Sequence, residues 1–210
     1  MEQVLDLKKY IIEESDKLFC QYGFKSITMD DIAKHLGMSK KTIYQNFADK
    51  NELVDILIAD KLGNQSCKMN DCAKNAKNAI HEIFLTIADI KELMGALNPN
   101  LFYDLQKYHP KAWLKFRNFK EKNLLITIHN NLKRGIEEGL YRSEINVDIL
   151  SQLRLDHSSI VFQEHDHYTM NKYNIAQVII EITEHFLYGI SNEKGLALIA
   201  TYKKELQNNQ

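Results

Sequence analysis

A chain of 210 residues with 44% hydrophobic and 26% charged side chains has the make-up of a globular protein of one to two domains, long enough to bury a core. Eight glycines and two prolines exclude collagen-like and proline-rich fibres, and the longest apolar run, Leu196–Ala200, is too short to cross a bilayer. A net charge of −1 creates no bulk field for nucleic acid, so any basic surface must be local.

The pattern is helical throughout, with no sustained two-residue alternation. Val4–Tyr22 places Leu7, Ile11, Leu18 and Tyr22 near helical spacing, beside Ile12, Ser15 and Phe19, and Gly23 ends it. Three short helices are predicted next, each behind a capping residue: Thr28 before Met29–Leu36, Ser39 before Lys40–Phe47, and Asp49 before Lys50–Leu62. Asp31 and Glu52, three residues past their caps, suit a capping box. Asn64–Asn78 reads as a frayed end and a connection, and Ala79–Met94 carries one stripe of Ile80, Ile83, Phe84, Ile87, Ile90 and Met94. Asn98-Pro99 opens a short helix to about Tyr108, and His109-Pro110 opens a long one to about Glu138, closed by Gly139. Asp148–Gln163, Asn174–Tyr188 and Glu193–Leu206 complete the predicted helices, with loops at Tyr141–Val147 and Glu164–Met170.

Thr28–Lys50 carries the chemistry. Residues 1–60 hold eight lysines against eleven acids, yet Lys25–Lys50 holds five lysines against Asp30, Asp31 and Asp49. Two short helices meet at Gly37-Met38-Ser39, where Gly37 can take the left-handed angle of a tight turn. Ile32, Ala33, Leu36, Ile43 and Phe47 can pack inward, and the small Ala33 lets the second helix cross closely. This is the plan of a helix-turn-helix, whose second helix enters the major groove. On that helix Lys40, Lys41, Thr42, Tyr44 and Gln45 project outward. Lysine and glutamine read guanine or adenine edges; threonine and tyrosine bond phosphates or touch a thymine methyl. Ser39 caps the helix beside amides that favour a phosphate, Lys50 and Lys25 add phosphate contacts, and Thr28 holds the adjoining strand. Taken alone, these residues fit a solvated, lysine-rich helix of an ordinary bundle equally well.

Gly23–Leu53, GFKSITMDDIAKHLGMSKKTIYQNFADKNEL, resembles the DNA-binding signature of the TetR family of transcriptional regulators. The matching positions are Gly23, Thr28, Asp31, Ile32, Ala33, Gly37, Ser39, Tyr44, Phe47, Lys50 and Leu53. Met38 departs from the signature, where a smaller β-branched residue is usual, as does Asn51, where an acid is common. The resemblance implies an all-α protein: a three-helix DNA-binding domain with the helix-turn-helix at 1–62, and a helical bundle at 63–210 for ligand binding and dimerisation. It implies a homodimeric regulator of palindromic double-stranded DNA, a repressor modulated by a small-molecule effector. By similarity to the family, 174–190 (Ile175, Val178, Ile179, Ile182 and Phe186, widened by Ile180, Leu187 and Tyr188) and 148–163 (Ile149, Leu150, Leu153, Ile160 and Val161) pair with their copies. Burial inside one protomer is the alternative. Candidate walls of an effector pocket are Phe84, Met94, Phe102, Tyr103, Trp113, Phe116, His129 and Phe162, although aromatic residues at helical spacing also fill ordinary cores.

The remaining features point away from other classes. Cys20, Cys67 and Cys72 lack framework spacing and read as reduced thiols of a cytoplasmic protein, and early acids such as Glu13 and Asp16 argue against a signal peptide. Glu164-His165-Asp166-His167, with His157, reads as a solvated loop rather than a metal site. Nucleophile, phosphate-loop and dinucleotide signatures are absent, so neither catalysis nor a cofactor is expected. A helical enzyme or ligand carrier that no longer reads DNA, and a monomeric partner-binding adaptor, are the competing readings.

Overall fold

The computed structural model describes residues 2–94, 97–98, 100–159 and 173–208. Its helices are α1 (Glu2–Tyr22), α2 (Met29–His35), α3 (Lys40–Asn46), α4 (Lys50–Asn75), α5 (Ala79–Met94), α6 (Leu101–Tyr108), α7 (Pro110–Phe119), α8 (Leu125–Glu137), α9 (Val147–Ser159), α10 (Ile175–Ile190) and α11 (Glu193–Asn208). One π-helical turn, Lys120–Leu124, joins α7 to α8, so the long helix expected over 110–138 is present as three helical pieces. Among the described residues there is no strand; the nearest thing is one isolated antiparallel bridge between Tyr141 and Ser191. No helix among them is long and apolar enough to cross a membrane.

The chain forms two compact units, Met1–Asn64 with Ala96–Arg117, and Gln65–Gly95 with Asn118–Gln210. This differs from the expected division at 62/63, because packing groups 96–117 with the N-terminal helices. In the first unit, Ile11 and Phe19 of α1, Ile32 of α2, Ile43 of α3 and Leu53 of α4 are fully buried together, and Leu105 of α6 and Ala112 of α7 join them. Phe19 is buried where the sequence stripe favoured Tyr22, which is exposed.

The expected stop at Gly63 does not occur: α4 runs on to Asn75. Its second half is fastened to α5, where Asp89 accepts from Gln65 Nε2 and from Lys68 Nζ, each at 2.9 Å. Its end is closed by Arg134 of α8, whose Nη1 and Nη2 donate to the carbonyls of Ala73 (3.1 Å) and Ala76 (2.9 Å). These are the carbonyls that a helix end leaves without partners. Polar residues with tertiary partners thus extend a helix that local pattern alone would end.

In the second unit Ile80 and Phe84 of α5, Leu132 of α8, Leu187 and Ile190 of α10, and Ile199 and Tyr202 of α11 form the main core. Val178 and Ile179 of α10 pack with Ile90 of α5 in a smaller one. Much of the wide apolar surface of α10 is therefore spent inside the unit. Tyr141 is buried, and its hydroxyl donates to Asn131 Oδ1 at 3.1 Å. Its ring lies on Gly135, where a Cβ would stand 2.0 Å from Tyr141 Cδ2. Only glycine fits there. We expect Gly135→Ala to destabilise the protein by about 3 kcal/mol through overpacking, measured as a lower midpoint of urea unfolding.

Candidate nucleic-acid interface

α2 and α3 are short because their ends are fastened. Thr28 Oγ1 accepts from the Asp31 amide at 3.2 Å, and Asp31 Oδ2 accepts from the Thr28 amide at 2.9 Å, a complete capping box. At the far end Gly37 takes φ +62, the left-handed region. The Met38 amide then reaches the Ala33 carbonyl at 2.9 Å, and the Gly37 amide reaches Lys34 at 3.2 Å. Met38, the departure from the family signature, packs partly buried against the core, the apolar contact that accompanies such a turn. Ser39 then caps α3, accepting from the Thr42 amide at 3.1 Å.

Ile43 and Phe47 are buried against Ile32 and Ala33, and this decides the rest of α3. With one side of a seven-residue helix buried, Lys40, Lys41, Tyr44 and Gln45 face solvent. Tyr44 is 51% exposed despite its aromatic ring. Thr42 is half-buried, its hydroxyl 2.8 Å from that of Ser39. Lys40 is exposed and pairs with Asp30 of α2, tying the two helices together. Lys25 is also exposed; its amide donates to Asp104 Oδ2 at 2.8 Å.

Lys50 differs from the other candidates. It is half-buried, its Nζ donates to the Phe24 carbonyl, and the Phe19 ring centroid lies 5.8 Å away. Burial holds its ammonium below the ordinary lysine range, opposed by the nearby carboxylates of Asp104 and Asp31. Lys50 therefore fastens the turn after α1 to the start of α4. Asn51, the other departure from the signature, is answered by His109, whose Nδ1 lies 2.8 Å from Asn51 Oδ1. Sequence reasoning missed His109 because it read that residue only as part of a helix start.

The comparisons agree with this geometry. Residues 11–56 match the family described as "Bacterial regulatory proteins, tetR family". An uncharacterised HTH-type transcriptional regulator of Bacillus subtilis, YvaF, is 30% identical over 131 residues, 61% of this chain and 68% of that protein. The chain belongs to the TetR family. The HTH-type transcriptional repressor KstR2 of Mycobacterium tuberculosis is 23% identical over 154 residues, 70% of this chain and 76% of that one. The solved structure of Bacillus subtilis FadR in complex with stearoyl-CoA has a TM-score of 0.60 at 22% identity, covering 86% of this chain and 97% of that chain, a likeness of fold.

Six of the eight pocket candidates have described side chains, four in the first unit and two in the second. Phe102, Tyr103, Trp113 and Phe116 belong to the first unit. There Phe102 and Trp113 each place a ring centroid 5.4 Å from that of Phe116, and the Tyr103 hydroxyl receives Lys107 at 2.7 Å. Phe84 is buried core in the second unit, and His129 Nε2 lies 3.1 Å from Asp148 Oδ1. Phe162 and the side chain of Met94 lie outside the described residues, as do Ile160, Val161 and the His-rich segment 164–167. His157 is described; among the described residues its buried Nδ1 has no hydrogen-bond partner, and no group of three or more His, Cys, Asp or Glu converges on a metal-sized site. A cavity of about 30 Å³ does open in the second unit, lined by Ile83, Ile128, Asn131, Arg154, Thr183 and Phe186 among others. None of the six described candidates is among the residues that line it.

The capping box of the TetR-family head should respond to pH. The Thr28 hydroxyl first, and its amide second, hold the Asp31 carboxyl below its ordinary range. A carboxylate with a lowered folded pKa stabilises the protein above its unfolded value, and that contribution is lost as pH falls through the folded value. We expect Thr28→Val to lower the thermal midpoint near neutral pH, and the gap to the parent to narrow below about pH 4. Differential scanning calorimetry across pH checks this.

Proposed function

We propose that this TetR-family chain is a homodimeric, sequence-specific DNA-binding repressor that holds a palindromic operator and is released by a small molecule bound in its second unit. The observation that carries the reading is α3 itself: Lys41, Tyr44 and Gln45 stand exposed on a helix whose other side is buried and whose two ends are fastened. A helix held this firmly presents base-reading side chains with little ordering cost on binding. Lys40, Lys25 and Thr28 flank it on the same unit as phosphate-contact candidates, while Lys50 supports the scaffold between them.

Pairing of two copies is supported by α9, where Ile149 is 64% exposed and Leu153, one turn on, is also exposed. Two apolar residues facing water at helical spacing suit contact with a second copy. Effector control is supported by the stearoyl-CoA bound to the Bacillus subtilis relative of the same fold, and repression by the name of KstR2. Release then follows from linkage: a ligand that favours the conformation unfit for DNA weakens DNA binding reciprocally.

The test is selection of bound sequences from a random duplex pool with the purified full-length protein. A palindromic site bound with steep salt dependence is expected. Tyr44→Ala should weaken binding on all sequences about equally, as a phosphate contact does, whereas Lys41→Ala and Gln45→Ala should each relax base preference at defined positions of the half-site, at about 1–3 kcal/mol per lost contact. Failure to select any site, or unaltered affinity and preference in all three variants, overturns the docking mode.

A further inference from the structure

The second unit holds a charge that none of its described residues answers. Arg154 of α9 turns inward, where its Nη2 donates to Thr183 Oγ1 at 2.6 Å and its guanidinium carbon lies 5.8 Å from the Phe186 ring centroid. The Thr183 hydroxyl hydrogen is already given to the Ile179 carbonyl at 2.6 Å, so Thr183 faces the arginine as a pure acceptor. Among the described residues Arg154 Nη1 is buried without a hydrogen-bond partner, and no described carboxylate pairs with the side chain. Burial alone presses the guanidinium down to about 10, which still leaves it a cation at neutral pH.

This group lines the cavity of about 30 Å³ between α5, α8, α9 and α10. Apart from Arg154 the described wall residues are uncharged, and Ile83, Ile128, Phe186 and Ile190 make much of them apolar. Asn131 contributes nothing further, since its amide is spent on the Ala79 carbonyl and the Tyr141 hydroxyl. A buried cation without a counter-ion is strongly disfavoured, and a guanidinium fork matches a planar carboxylate. One cationic group beside so small a space suits a monoanion rather than a phosphate dianion.

We propose that this cavity receives the carboxylate of a small organic acid, which accepts from Arg154 Nη1 while Ile83, Ile128 and Phe186 pack the first carbons of an apolar body. The proposal rests on reading the second unit as the effector-binding part of the regulator and names the chemistry of that effector. Thr183 orients the guanidinium, and the apolar walls strengthen the ion pair by excluding water.

The experiment is calorimetric titration of the full-length protein with hexanoate, with hexanol and hexylamine as the neutral and cationic counterparts, alongside thermal shifts with carboxylates from acetate to decanoate. Hexanoate should bind saturably and raise the midpoint, with hexanol and hexylamine at least about ten-fold weaker. Arg154→Met should fold, because it removes an unpaired buried charge, and should lose the preference for hexanoate over hexanol. Thr183→Val, which keeps the side-chain shape, should weaken hexanoate several-fold. Equal binding of hexanoate and hexanol, undiminished hexanoate binding by Arg154→Met, or no binding by any carboxylate of the series overturns the proposal. A parallel DNA-binding assay separates the two readings. Arg154-dependent hexanoate binding that leaves DNA affinity unchanged supports this site and removes the effector role. Ligand-induced release of DNA that persists in Arg154→Met overturns this site and leaves effector control standing.

Discussion

The burial of Ile43 and Phe47 against Ile32 and Ala33 is the contact on which the exposed face of α3 depends. α3 has only seven residues, too few to persist as a helix on its own. It exists because one side is packed, its start is capped by Ser39, and the turn before it is held at Gly37. The same packing leaves Lys41, Tyr44 and Gln45 no direction but outward. Lys50 and His109 extend this logic one layer further: a lysine bound to the Phe24 carbonyl and a histidine on Asn51 fasten the start of α4 to its surroundings.

The second unit treats its polar groups in two opposite ways. Around Arg134 the accounts close: its guanidinium meets the carbonyls of Ala73 and Ala76 and the carboxylate of Glu138 at 2.7 Å. Glu138 in turn accepts from the Ala79 amide at 2.7 Å, so the junction between α4 and α5 is fully satisfied. Arg154 meets one hydroxyl and, among the described residues, leaves Nη1 unmatched beside a cavity. One arginine finishes helix ends; the other stands with spare donors in an apolar space. Both are arginines on helices of the second unit, α8 and α9.

Helix starts with capping residues were legible from sequence: Thr28, Ser39 and Asp49 all accept backbone amides at the positions expected. These are local interactions, confined to three residues, and need no tertiary knowledge. Ends that rely on distant partners were not legible. Gly63 looked like a stop, yet α4 continues because Asp89 and Arg134 hold its second half. The Asn98-Pro99 signal placed α6 early; Asn98 instead bonds the Gln21 carbonyl through Nδ2 at 3.2 Å, and the helix starts at Leu101. The described aromatic residues named as pocket walls belong to two units, Phe102, Tyr103, Trp113 and Phe116 to the first and Phe84 to the second, since residue type carries no information about which distant helix will be its neighbour.

The sequence by itself determined the helical class, the turn between α2 and α3, and the residues offered outward on α3. Each is set by neighbours within one or two turns, through caps, glycine and apolar spacing. Tertiary structure alone decided that 96–117 packs with the N-terminal helices, that Lys50 bonds inward, and that Arg154 ends beside an apolar cavity with a donor to spare. Those outcomes depend on which surfaces meet across long stretches of chain, and a charged side chain reads the same in sequence whether its helix turns it to water or to the core.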